Sequence, residues 1–298
     1  MRKPLGLFGS VVITSLVLAV SARADDVIAR LPAATPIDAY HGRIAWSEPS
    51  PAGYRLRGYH DGVVRTMPVA PSATPFDVDL GPERHGRTVA VYQRCVRALT
   101  APDYQPPLGC DLYLSDFRRA RETPIRHANS KAYDEYYPAI WKGRLVFARP
   151  WGFYWRSLTG RGPNHALGHW SDEFFPPSGA DLRGNVAALA FGGSNDAGEV
   201  KLVRIGGRIR TIPHYPVSKP SIGRRFVYVT TLWGDRYAGY VVGLTRYDRV
   251  RESYDGADVP FLKTAAGFDQ DGSTSYYLTA EHPPCYGPTP AAPSTYTE

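Results

Sequence analysis

No segment of the 298-residue chain repeats apolar residues at a helical period over a useful length, which argues against an α-helical or α/β domain. Its longest apolar run, Leu5 to Val20, is shorter than the roughly 18 residues a spanning helix needs, and it carries Gly and Ser inside it. Lysine is scarce. Six Lys stand among the 35 basic residues and the rest are Arg, a bias that carries no functional weight by itself. The charges form no dense basic stripe, so a long nucleic-acid footprint is not indicated. Familiar catalytic spacings are missing as well. His165 and His169 have the four-residue spacing of a helical metal pair, but Gly162, Pro163 and Gly168 make a helix there unfavourable and no Glu follows His165. Gly192-Gly193-Ser194 is not a nucleophile elbow, because Asp196 stands where the second Gly should be.

What is present begins with a leader. Arg2 and Lys3 precede the apolar run, and Ala22-Arg23-Ala24 follows it as a small-residue cleavage site, so residues 1–24 read as a secretory signal peptide rather than a membrane anchor. No Cys follows the run, so lipid attachment there is not indicated. Processing before Asp25 removes Arg2, Lys3 and Arg23 and lowers the formal charge of +7 by three, leaving a mild excess that neither demands nor excludes an anionic partner. Export permits disulfides. Of the three cysteines, Cys95 and Cys110 flank a proline-containing loop and are expected to bridge, which leaves Cys285 over. A bridge closing a loop of this length contributes about 3 kcal/mol in the chain-entropy account.

The rest of the chain is built of one repeated unit, read most clearly in Tyr137 to Arg149: strand, turn, strand, with Gly143 in the turn. Cousins turn at Gly42-Arg43, Gly86-Arg87, Gly184-Asn185, Gly223-Arg224 and Gly272-Ser273, each followed by β-branched or aromatic residues suited to a pleated surface. Units recurring every 40 to 50 residues or so, with several strands each, are the signature of propeller blades. One blade cannot bury both its faces, and stacking in a ring lets each cover its neighbour. The expectation is all-β: a six-bladed β-propeller over residues 25–287, closed by an N-terminal strand at Val27 to Leu31 that completes the last blade. The sixth blade is the most poorly supplied, since Pro283, Pro284 and Pro288 cannot donate to a sheet ladder. Residues 288–298 form a tail rich in Pro, Ala, Ser and Thr, expected to be disordered. An all-β sandwich pair is the structural rival, and six matching inner hairpins favour a single ring.

Three stretches resemble the TolB-type, WD40-like propeller repeat. Asp269-Gln270-Asp271-Gly272 resembles its turn, Ile140 to Phe147 its turn and second strand, and Asp111-Leu112-Tyr113-Leu114-Ser115-Asp116 its third strand. The Ser-Pro of that family's turn is absent throughout. The resemblance implies a six-bladed propeller and an exported interaction module, and it implies no catalytic residues, because the shared motifs are structural.

Two groups of side chains stand out as candidates. Asp77 and Asp79 alternate on the innermost strand of the second blade, with Asp38 and Asp181 at related places, so a channel-facing pair could hold a hard cation such as calcium. The plainer reading is that such carboxylates accept backbone hydrogen bonds, and no cofactor is expected. Asp269 to Gly272 lacks the first acidic position of a calcium loop and the Glu at its twelfth, and is read as a turn. The second group is aromatic: Trp151, Tyr154, Trp155 and Trp170 lie near strand ends beside arginines, the composition of a protein hot spot or a sugar-stacking surface. Inter-blade burial is the competing role for most of them. The reading is a non-catalytic, monomeric, exported binding module for an envelope or extracellular protein or a glycan, with no span left after processing. The alternative is a secreted hydrolase or lyase acting on polysaccharide or peptide, with Asp77, Asp79 and Glu83 in the channel. A third is a structural domain without a ligand.

Overall fold

The structure, a computed structural model, describes residues 27–31, 35–96, 109–116, 121–160, 162–169, 177–194, 197–213, 219–235, 239–255, 267–271 and 274–278. The chain divides into two units, Met1–Arg30 and Leu31–Glu298. Residues 1–24, where a signal peptide is expected, Trp170, Cys285 and residues 288–298 lie outside the described residues. Among the described residues no helix is long and apolar enough to cross a membrane.

Every described element is a strand. The first blade holds β1 (Ile37–Tyr40), β2 (Arg43–Ser50), β3 (Gly53–His60) and β4 (Val63–Thr66). The second holds β5 (Val78–Pro82), β6 (Thr88–Arg94), β7 (Asp111–Asp116) and β8 (Glu122–Pro124). The third is β9 (Tyr136–Trp141), β10 (Arg144–Arg149), β11 (Gly152–Ser157) and β12 (His165–His169). The fourth is β13 (Pro177–Arg183), β14 (Val186–Ser194), β15 (Ala197–Arg204) and β16 (Ile209–Pro213). The fifth is β17 (Ser221–Ile222), β18 (Phe226–Asp235), β19 (Gly239–Asp248) and β20 (Ser253–Asp255). A final sheet pairs β21 (Gly267–Asp271) with β22 (Thr274–Leu278).

Each blade is an antiparallel meander, and consecutive inner strands are neighbours: β1, β5, β9, β13, β17 and β21 follow in order, and β21 returns to β1. That circuit makes the fold a propeller. Two expectations are corrected. The described residues hold five four-stranded blades and one two-stranded sheet in place of six full blades. Residues 27–31 carry no strand, and Val27 is largely exposed, so the ring meets through β21 and β1 instead. The physical reason for the second is local: Val27 to Leu31 is followed by Pro32 and Pro36, which fit a ladder poorly.

The core is distributed between blades. Leu56, Phe76, Val78 and Tyr92 join blades one and two; Val91, Leu112, Ile140 and Phe147 join two and three. Phe153, Ala180, Leu189 and Phe191 join three and four, and Val200, Ile222 and Val229 join four and five. Near the axis the strands crowd. A Cβ at Gly81 would lie 2.1 Å from the carbonyl oxygen of Ile140 on the next inner strand, so only glycine fits. The expected bridge forms between Cys95 and Cys110.

Candidate functional site

Because inner strands all run the same way through the ring, the propeller has a leading face, where they begin, and a trailing face, where they end. The turn between β10 and β11 returns to the leading face. So does the segment before β9.

Three channel carboxylates latch neighbouring blades, one to two, two to three and four to five. Asp38 of β1 accepts from the Leu80 N–H of β5. Asp79 Oδ2 accepts from the Ile140 N–H of β9 at 2.8 Å, and Asp181 Oδ2 of β13 accepts from the Ile222 N–H of β17 at 2.5 Å. In register, Ala139 and Ser221 hold the corresponding places in blades three and five, and Asp269 does so on β21. Charged acceptors on backbone donors are about twice as strong as neutral ones, and here each spans two blades.

A lysine from the far side of the ring completes this layer. Lys219, just before β17, donates to Asp79 Oδ1 at 2.8 Å and to the Val78 carbonyl at 3.0 Å, and lies 3.4 Å from Asp38 Oδ1. Burial lowers the affinity of its amine for the proton. Asp38, Asp79, Asp181 and Asp77 more than reverse this and hold the ammonium well above the ordinary lysine range. The place where the sequence pointed to a hard cation is thus occupied by an ammonium group, and both Asp79 oxygens are engaged. Among the described residues no group of three or more His, Cys, Asp or Glu is arranged to hold a metal ion.

Asp77 is different. It is buried, its Oδ1 has no hydrogen-bond partner, and burial raises its carboxyl to about 6, with Lys219 pulling down and Asp79 pushing up. Next to it in the ring stands Tyr137, whose phenol is held above its ordinary range by burial and by the charge of Asp77. Tyr137 has φ of +52°, a strained value for a tyrosine, at a β-bulge where β9 slips against β10; its N–H donates to Gln93 Oε1 at 2.7 Å. Glu83, the third acid of the enzyme reading, sits past the other end of β5, paired with Arg87 at 2.5 Å. Asp77 and Glu83 are therefore not brought together.

The aromatic candidates part company. Successive residues of a strand face opposite ways. Tyr154 lies against the core between blades two and three, stacked on Phe147 at 6.0 Å. Trp155 turns to the core between blades three and four and stacks on His165 at 4.8 Å. Trp151, in the turn between β10 and β11, is 62% exposed. Beside it on the leading face, Arg149 binds Glu135 Oε1 at 2.9 Å and the Ala128 carbonyl at 3.0 Å, with its guanidinium over Tyr133 and Tyr154 at 5.4 and 5.3 Å. Tyr133 is half-exposed. Glu135 is fully buried, and burial raises its carboxyl to about 7. Neither Glu135 nor Lys219 was singled out from the sequence. Lys219 had one signal, a rare lysine placed directly before an inner strand.

These features define a β-propeller with a latched, lysine-filled channel and an aromatic corner on its leading face. The fold is similar to that of the putative TolB from Agrobacterium tumefaciens, with a TM-score of 0.53 and 11% identity over 74% of this chain and 79% of that one. TolB from Acinetobacter baumannii matches with a TM-score of 0.49 and 11% identity over 72% of this chain and 51% of that one. The acylaminoacyl peptidase of Pyrococcus horikoshii gives 0.46 and 12% over 83% and 45%. The chain thus spans about half the length of the Acinetobacter TolB. Neither a family model nor a curated protein matches the sequence.

Proposed function

We propose that this protein is a non-catalytic, exported binding module that holds an envelope or extracellular protein, or a glycan, on the leading face of the ring, around Trp151 and Tyr133. One observation carries the reading. Asp38, Asp79 and Asp181 are committed to inter-blade N–H groups and to Lys219, while large aromatic rings stand exposed at the mouth beside an arginine fixed by Glu135. Exposed aromatics on a rigid support suit partner capture, because little side-chain freedom is lost on binding. The Cys95–Cys110 bridge supports an oxidising compartment, as the leader of residues 1–24 does. In this reading the mature chain is a monomer, β21 and β22 are the inner half of a sixth blade, and no cofactor takes part. Calcium at Asp77 and Asp79 would compete with the Lys219 ammonium.

Asp77 favours a second reading, a hydrolase or lyase on polysaccharide or peptide, since a carboxyl near 6 with an unpartnered oxygen suits proton transfer. Among the described residues no second uncommitted acid stands beside it, which leaves the binder ahead. The test is capture from an envelope extract by wild type and by a Trp151→Ala, Tyr133→Ala double variant. Loss of one specific protein or glycan in the variant, with unchanged melting, is the expected result. Equal capture by both would overturn the site.

A further inference from the structure

The trailing face carries a group of arginines that neither the latches nor the aromatic corner uses. Four of them gather around the turn at Gly184 and Asn185. Arg183 ends β13 and Arg204 ends β15, and in the sheet Arg204 pairs with Val186, the first residue after that turn. Arg144, from the equivalent turn of blade three, donates to the Gly184 carbonyl at 3.3 Å. Arg249, from the turn between β19 and β20 in blade five, donates to the Gly223 carbonyl at 2.7 Å. Three blades thus send guanidinium groups to one place.

Their charges are not balanced locally. Among the described residues none of Arg144, Arg183, Arg204 and Arg249 forms an ion pair. Three carboxylates of this face in blades four and five whose side chains are described are already engaged: Asp248 with Arg225 at 2.6 Å, Glu252 with Arg210, and Asp181 with the N–H groups of Leu182 and Ile222. Arg144 and Arg249 are held by carbonyl oxygens and Arg183 stands over the ring of Trp141 at 5.1 Å, contacts that orient a guanidinium without neutralising it. Burial, together with the charges of Arg183 and Arg204, pulls the Arg249 guanidinium below its ordinary range, and only Asp181 opposes this. Like charges held together by the fold are relieved by an anion, and the planar fork of arginine matches the oxygens of phosphate. The surrounding turns add Lys142 and Arg224, both exposed, to the same sign.

We propose that Arg183, Arg204 and Arg249 form a binding site for a phosphate group on the trailing face, with Arg144 at its rim. The phosphate belongs to a free phosphate compound or to a lipid headgroup; the chemistry recognised is the same, and the site is separate from the leading-face corner. The test titrates the arginine Nε–H NMR signals of the mature chain with inorganic phosphate and with pyrophosphate at low and high salt. In parallel, the protein is sedimented with vesicles of phosphatidylcholine alone or mixed with phosphatidylglycerol. Wild type and Arg65→Gln, a change at an exposed arginine of β4, are expected to bind alike, with affinity falling as salt rises. Arg183→Gln with Arg204→Gln, which spares the Arg249 bond to Gly223, is expected to weaken binding by about tenfold or more. If that double variant melts early, the pair of Arg→Lys changes keeps the charge and loses the fork, and intermediate affinity is expected. Saturation by phosphate alone identifies a free compound, and sedimentation only with phosphatidylglycerol identifies a lipid headgroup. No saturable response in wild type, or equal binding by the Gln variant, would overturn the proposal.

Discussion

Asp77 is the residue where environment and charge are most at odds. Its carboxyl is raised from 3.8 to about 6, chiefly by burial. Between those values the folded protein holds a proton that the unfolded chain has released, so stability falls as pH rises through this window and the full penalty persists above it. Asp77→Asn is therefore expected to leave melting almost unchanged near pH 4 and to stabilise by about 1–3 kcal/mol near pH 8. Melting curves at both values check this; equal shifts at the two pH values would contradict it. The carboxylates were legible as residues because alternation put Asp77 and Asp79 on one face. Their partner was not. Lys219 lies 140 positions from Asp79, and no local pattern carries a contact of that range. Alternation also says why the aromatic group did not hold together: Tyr154 and Trp155 are neighbours in sequence and therefore face different blades.

The inner hairpin is the element from which the fold is made, and its turns were readable because they need glycine or a tolerated positive φ. Gly42, Gly86, Gly143 and Gly184 all have positive φ where strand one hands over to strand two. The β-bulge at Tyr137 was not readable, since Tyr-Pro in a strand carries no mark of which way the slip runs. Neither was the failure of residues 27–31 to form a strand, since a strand-like run does not show that the prolines beside it, Pro32 and Pro36, prevail. Close approach between neighbouring inner strands makes a firm prediction at this scale. Gly81→Ala pushes a methyl group against the Ile140 backbone, which cannot swing aside as a side chain would. A loss of about 1–3 kcal/mol in urea unfolding is expected. A variant as stable as wild type would mean that blades two and three stand further apart than 2.1 Å from that Cβ allows.

Across the whole molecule, the ring separates its side-chain chemistry by face. Latches join blade one to two, two to three and four to five, Lys219 ties blade five to blades one and two, and exposed aromatic and basic groups stand at the two mouths. Aromatic rings mark the leading mouth and arginines the trailing one. A propeller suits this division, since each blade is held by its neighbours and the turns are left to vary. In the proposed function the leading face captures the partner while the channel serves the ring. Hydrogen–deuterium exchange of the protein, alone and saturated with the partner recovered by capture, tests it most directly. Protection is predicted in residues 126–137 and 148–153, with the inner strands β1, β5 and β13 unchanged. Protection confined to the channel strands, or to the trailing turns, would contradict it.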